Sequence, residues 1–398
     1  MSCDRLVLSS SSKAMVAVTG FKECVEVLLN TEDFSSVNSP VPTQSLPFEP
    51  VGDDISEQIE AHRDQFARGD ILVSADGARH ANFRALTTVL FTPSRLKENE
   101  AYMAELSDKL VRDAVAKGGC ELVREMAVPY VTMVIADLLG IPEEDRERFR
   151  QQIDAGPPLV GAIEDSRVKR QIEPWQFMRP YFARYIADRR ANPRDDVLTE
   201  FATAKYPDGS LPDPEDVINN AQFLFGAGQD TSAKLLGNSM RYVAQDPDLQ
   251  RNLRGNRELI PALLEEILRL EGSTKATFRL AKRKTRIGDM EIPAGKTIIV
   301  ALAAANRDPA RWENPSEFQL NRKRVKEHLA FGRGAHTCIG NPLARAEIRV
   351  ILNKLFDLTS DIALSEKHHG PAGNRTFSYE PTYIIRGLEN LHLVLKPN

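Results

Sequence analysis

The sequence predicts a mainly helical chain with smaller β-sheets. Three observations lead there. From Tyr102 to about Arg190, and again from Asp213 to Pro247, apolar residues recur at helical spacing. Short strand-like runs sit near the start (LVLSS, MVAVTG), after residue 284 (TRIGDMEI, KTIIV) and at the end (LHLVLKP). No long internal repeat or low-complexity domain stands out, so the 398 residues are read as one domain, 1–398.

In chain order, LVLSS and MVAVTG are expected to pair as strands before a helix through CVEVLLN. The proline-rich run Val37 to Asp54 reads as an exposed loop. A helix should run from about Gly77 through Phe91, with Pro93 just past it. Glu121 to Gly140 reads as a mostly buried helix bent at Pro129. IPEEDRERFRQQ places a proline near a helix start and acids in its first turn. Further helices cover PWQFMRPYFARYIADRR, Asp213 to Pro247, Arg257 to Glu271 and NPLARAEIRVILNKLFDL. Ala294 and Gly295 mark a turn between strands, and TYIIRG with LHLVLKP is expected to close the chain as a strand pair.

The composition, 42% apolar and 27% charged with a formal net charge of -4, supports a large core. So small a net charge calls for neither nucleic acid nor a membrane surface. No apolar run reaches the ~18 residues of a membrane span, and the start lacks a basic region followed by an apolar core. No stable membrane anchor is expected. Cys3, Cys24, Cys120 and Cys338 are too widely spaced for a zinc or disulfide framework, and a reduced, cytoplasmic setting is expected.

The most informative stretch is FGRGAHTCIG, Phe331 to Gly340. Cys338 lies just before a helix start, where unpaired N–H groups favour a thiolate. Gly332, Gly334 and Gly340 permit a tight loop and close approach of a flat ligand. Residue types alone leave open a buried inert thiol, a nucleophile or a metal ligand. Three further patterns have plain readings of their own. His80 and Arg84 share a helical face and suit a surface polar contact. Glu266 and Arg269 suit an exposed helix pair worth a few tenths of a kcal/mol, roughly. In AGQDTS, Asp230 and Thr231 suit a hydrated helix distortion, with Thr231 bonding a preceding carbonyl.

FGRGAHTCIG nevertheless resembles the haem-binding signature of the cytochrome P450 monooxygenases. The resemblance continues in order through DGARHANFRALTTVLFTPSRL, FGAGQDTS, EEILRLE and ANRDPARWENPSEFQLNR, and is to the soluble bacterial members. It implies the cytochrome P450 fold, with haem b between the long central helix and the helix after Cys338. It makes Cys338 the thiolate ligand of the iron, with Phe331 beside the sulfur and Gly332 and Gly340 keeping side chains clear. Such a thiolate promotes O–O cleavage. The resemblance assigns His80, Arg84, Arg279 and His336 to the haem propionates, and Glu266, Arg269 and Arg322 to a buried network behind the loop. Asp230 and Thr231 become the acid–alcohol pair that handles protons on the oxygen side, with Ser232 less securely placed. Ala227 and Gly228 would leave room for dioxygen.

The implied activity inserts one oxygen atom from O2 into a small apolar organic substrate. Electrons would come from a ferredoxin and an NAD(P)H-dependent ferredoxin reductase. Pocket candidates are Ile71, Leu72, Val73, Phe223, Gly226, Thr274 through Phe278, Tyr383, Ile384 and Ile385, with Lys275 a polar exception and Asp154 to Glu173 a lid. Arg79, Arg333 and Arg345 are candidates for receiving the ferredoxin. A haem-thiolate sensor without turnover and a peroxide-driven oxidase are the alternatives, and the intact acid–alcohol pair favours monooxygenation. Two departures stand out. The proline-containing lead and extra helix expected ahead of Leu6 are missing, which bears on the side where substrate arrives, and Trp312 stands where the family often has phenylalanine.

Overall fold

A computed structural model describes residues 6–8, 15–40, 45–66, 70–154, 165–382 and 384–398. Its axis is the 32-residue helix Pro214–Gln245, started by Asp213, whose carboxylate accepts from Glu215 N at 2.8 Å while Pro214 fills the first turn. The apolar core forms around it, against Val128–Leu138, Asp165–Ala191, Ile260–Glu271 and Asn341–Leu358. The principal sheet runs in the order Leu6–Leu8, Val16–Val18, Thr297–Val300, Thr277–Ala281, Phe34–Ser35. Val16–Val18 pairs antiparallel with Leu6–Leu8 as expected, and parallel with Thr297–Val300.

Two expectations gain detail and two are corrected. Pro93 starts a helix, Pro93–Ala116, capped by Thr92; the preceding helix, Gly77–Thr88, already ends in a 3-10 turn at Val89–Phe91. The predicted bend at Pro129 is a wide π turn, Val123–Ala127, leading into Val128–Leu138. Pro129 has no N–H to give Glu125, so the ordinary ladder is interrupted there. The Val37 to Asp54 run is not exposed throughout, because Val37 and Asn38 are buried and Leu46 and Phe48 pack on Val37, Ile55, Ile59 and Phe66. The closing strand His392–Pro397 pairs with Thr359–Leu364 and Gly119–Glu121 instead of TYIIRG. Among its described residues, TYIIRG forms a bridge between Ile385 and Thr274 rather than a strand.

Candidate active site

The cysteine loop is shaped by its backbone. Cys338 N donates to Phe331 O at 2.9 Å, closing the loop, and Gly332 and Gly334 adopt φ of +67° and +78°, where a side chain would be strained. Gly340 has an ordinary φ, and a Cβ there would come no nearer than 3.9 Å to Cys338 Sγ or Phe91. Nothing in the chain itself therefore demands glycine at 340. The helix Asn341–Leu358 begins immediately afterwards.

Phe331, Gly332, His336 and Cys338 all keep accessible surface. Yet burial is the largest influence on Cys338, raising its thiol pKa, and on His336, pushed down to about 2 by burial and then by Arg279, His80 and Arg84. Both groups thus keep some accessible surface inside a densely packed surrounding. Within it, N–H groups of Gly340 and Asn341 and the cations Arg84 and Arg345 pull the Cys338 thiol back toward ionisation.

Four side chains meet beside the loop. Arg84, on Gly77–Thr88, donates to Thr337 O at 2.7 Å. The His80 and His336 rings lie 4.1 Å apart, and His336 Nε2 is 3.1 Å from Ser36 Oγ, a partner the sequence reading missed. Arg279 is 3% exposed, donates to Phe278 O at 2.7 Å, and is pulled down to about 10 by burial. Among the described residues, neither Arg84 nor Arg279 forms an ion pair with a carboxylate, and His80 Nε2 is buried without a partner. Two guanidinium groups without ion-pair partners, one of them buried, beside two neutral histidines suit the two propionates of a haem. The donor set fits the group.

The network behind the loop is closed. Arg269 Nε and Nη2 each donate to Glu266 at 2.8 Å, Arg322 Nε reaches Glu266 Oε1 at 2.9 Å, and Gln319 N adds a bond of 3.0 Å. Glu266 and Arg269 are fully buried, so the exposed-pair reading fails. Trp312 uses what a phenylalanine lacks: its Nε1 donates to Ala305 O at 3.2 Å, with Arg269 5.5 Å over the ring. Arg345, expected at the surface, is tied to Glu265 at 2.5 Å and lies over Phe331. Arg79 pairs with Asp70 at 2.7 Å, and Arg333 donates to Glu327 O at 3.1 Å.

On the central helix, Thr231 Oγ1 donates to Ala227 O at 3.0 Å, and Ser273 Oγ donates to Thr231 O at 2.7 Å. Asp230 is buried, bonded through Oδ1 to Lys234, with Oδ2 unpartnered. Ser232 is buried near Glu347 of the helix after Cys338, whose carboxyl pKa burial pushes up to about 8. Gly228 corrects an expectation: a Cβ there would sit 3.0 Å from Ile135 Cδ1. Its missing side chain lets the neighbouring helix approach, and does not clear space for dioxygen. Lys234, Glu347 and Glu380 were missed; only Lys234, four residues after Asp230 in an apolar helix, carried a signal in the sequence.

The pocket candidates fall into two groups. Leu72 and Phe223 share a cluster with Phe83 and Ile339, next to Cys338, and Leu72 N donates to Asn220 of the central helix at 3.0 Å. Val73 is half-buried beside them, Gly226 is buried one turn before Asp230, and Ile71 lines a surface recess with Phe66 and Trp175. The second group is stitched to Thr231: Ser273 bonds it, Arg386 N donates to Ser273 O at 2.6 Å, and Lys275 N donates to Ile384 O at 2.8 Å beside the Thr274–Ile385 bridge. Lys275 Nζ donates to Thr382 O at 3.0 Å. Phe278 is buried on the strand face opposite Arg279, with Leu280. Tyr383 and residues 155–164 of the expected lid lie outside the described residues.

Comparison with known proteins agrees with this geometry. The family model for Cytochrome P450 matches residues 48–358. The chain is 31% identical to Cytochrome P450 144 of Mycobacterium tuberculosis, over 96% of this chain and 84% of that protein. It is 33% identical to Cytochrome P450 monooxygenase PikC of Streptomyces venezuelae, over 80% and 74%. The substrate-free structure of Mycobacterium marinum cytochrome P450 CYP150A6 superposes with a TM-score of 0.90 at 45% identity, covering 99% of this chain and 93% of that one. With that fold, the cysteine loop and these relatives in agreement, the chain belongs to the cytochrome P450 family, of the bacterial type, and is an enzyme of monooxygenase chemistry.

Proposed function

We propose that the chain holds haem b through Cys338 and hydroxylates a small apolar organic molecule, with electrons delivered by a separate ferredoxin and its NAD(P)H-dependent reductase. The observation that carries this reading is the cluster of Arg84, Arg279 and His80 beside Cys338, in which, among the described residues, neither arginine has a carboxylate within ion-pair distance and His80 Nε2 is buried without a partner. When bound, haem supplies dioxygen activation and insertion of one oxygen atom into a carbon–hydrogen bond.

The chain's residues do the rest. Cys338 gives the thiolate, and the N–H groups of Gly340 and Asn341 moderate its charge. Arg84, Arg279 and the two histidines hold the carboxylates of the cofactor. Leu72 and Phe223 on one side, and the Thr274–Ile385 wall on the other, present apolar surface that orients substrate and excludes water. Thr231 holds its hydroxyl against Ala227 O and keeps lone pairs to order a water, while Asp230 Oδ2 can carry a proton. Arg333 and Arg79 remain candidates for an acidic ferredoxin, and a cytoplasmic setting suits those partners. Among the described residues no helix is long and apolar enough to cross a membrane.

The test is the reduced carbon-monoxide spectrum of the purified holoprotein beside Cys338→Ser. The native protein should show the thiolate-type band and the variant should lose it. NADH-dependent product formation is then screened across fatty acids, terpenes, steroids and aromatics with a ferredoxin and reductase. An unchanged band in the serine variant would end the ligand assignment, and a thiolate band without any product would point to a sensor.

A further inference from the structure

Lys234 does something the acid–alcohol pair does not require. It follows Asp230 by four residues, so both lie on one helical face, and its ammonium pairs with Asp230 Oδ1. The same nitrogen lies 2.9 Å from Glu380 Oε2, a residue 146 positions later. The lysine and aspartate side chains are 5% and 8% exposed, and that of Glu380 is 19% exposed. The three thus run from a partly solvated acid, through a buried base, to a buried acid.

The arrangement is built for this reach. A Cβ at Gly387 would lie 2.7 Å from Lys234 Cδ and 2.8 Å from Cε, so the lysine stem crosses the chain where there is no side chain. Glu380 N donates to Gly387 O at 3.1 Å, which holds the acid opposite that gap. One buried ammonium needs only one carboxylate to neutralise it. The second carboxylate is surplus to the pair, and crowding two acids around one base favours a proton on one of them. Burial raises the Glu380 pKa, Lys234 opposes the rise, and Asp230 and Glu389 add to it. The other acid, Asp230, keeps Oδ2 buried and unpartnered.

We propose that Glu380 and Lys234 form a proton path that recharges Asp230 from solvent. The Lys234 ammonium gives one proton to Asp230 and takes one from Glu380, so the lysine is unchanged. Asp230 becomes the neutral acid, Glu380 the anion, and Glu380 regains its proton from water. This rests on the proposed role of Asp230 as proton carrier. Lys234 and Glu380 are positioning residues, since they act only through Asp230.

The test compares holoenzyme with Glu380→Gln and Asp230→Asn. Infrared spectra at pH 7 should show a protonated-carboxyl band that disappears in both variants, because each leaves one acid to one base. Glu347→Gln identifies the separate band of Glu347. With a ferredoxin and its reductase supplied, NADH-driven oxygen consumption should fall at least about tenfold in Glu380→Gln, with a larger solvent isotope effect. Glu380→Asp should restore part of the rate with a displaced pH profile, which a merely structural role would not produce. It carries the same test if Glu380→Gln does not accumulate. A carboxyl band other than that of Glu347 surviving in both variants would overturn the proposal. So would a wild-type rate, isotope effect and pH profile in Glu380→Gln while Asp230→Asn is slow, an outcome that leaves the role of Asp230 standing. Wild-type behaviour in Asp230→Asn would instead sink the role of Asp230 itself.

Discussion

Replacing Glu266 by glutamine removes one negative charge from a site with no water to compensate. Two guanidinium groups, Arg269 at 0% and Arg322 at 4% side-chain exposure, then face each other across a neutral amide. Neither can swing out to solvent. Arg269 is also held by Asn306 O at 2.9 Å, Pro315 O at 2.7 Å and Glu317 O at 3.1 Å, and Arg322 by Glu317 O at 2.8 Å. Breaking a buried pair from one side costs about 3–5 kcal/mol, against a few tenths for an exposed helix pair. The fixed carbonyl contacts place the loss toward the upper end of that range. Urea unfolding followed by tryptophan fluorescence measures it directly, because buried Trp312 lies against Arg269. Adding Arg322→Met removes the surplus cation and should recover about 1–2 kcal/mol, read as a double-mutant coupling. A Glu266→Gln loss below about 1 kcal/mol would refute the reasoning, because it would mean that the network is screened like a surface pair.

Three other outcomes are expected. Arg279→Leu should raise the stability of the apoprotein by about 1–3 kcal/mol, since it deletes a buried unpaired cation, and weaken haem retention; both are read by melting and Soret absorbance. Glu347, with an ordinary value of 4.5 and a folded value near 8, keeps a proton between those pH values that the unfolded chain has lost. Stability should therefore fall as pH rises through that window, by at most about 5 kcal/mol, and level off above it; Glu347→Gln should abolish the slope in unfolding curves taken from pH 5 to 9. Gly228→Ala should crowd Ile135, and Ile135→Val in the same chain should relieve it by about 1 kcal/mol in melting experiments; equal losses with and without the valine would refute the packing role.

Local patterns in the sequence carried much of this structure. Asp213 and Pro214 announce the start of the central helix, and the loop glycines announce the cysteine turn before Asn341. What stayed hidden depends on where the chain goes next. A proline inside an apolar run says that a hydrogen bond is lost, but not whether the helix bends or widens into a π turn, as it does before Pro129. TYIIRG is apolar enough for a strand, yet Thr359–Leu364 and Gly119–Glu121 take both edges of His392–Pro397. In AGQDTS the small residues suggest open space, and only the neighbouring helix shows that Gly228 is spent on Ile135. Glu380 had no readable tie to Lys234, because its meaning lies in a contact across 146 residues.

Charge balance separates the scaffold from the site. Around Glu266 the chain supplies its own partners: one carboxylate, two guanidinium groups, and carbonyls that occupy the remaining donors. Such a system is complete in the bare polypeptide, so deleting a member should harm the apoprotein and holoprotein alike. Around Arg279 and Arg84 the chain supplies cations and no anion within ion-pair distance among the described residues, a state that costs free energy until carboxylates arrive from outside. Deleting Arg279 should therefore move apoprotein and holoprotein in opposite directions. That opposition is what distinguishes a binding group from a structural one here, since burial alone, nearly equal for Arg279 and Arg269, does not.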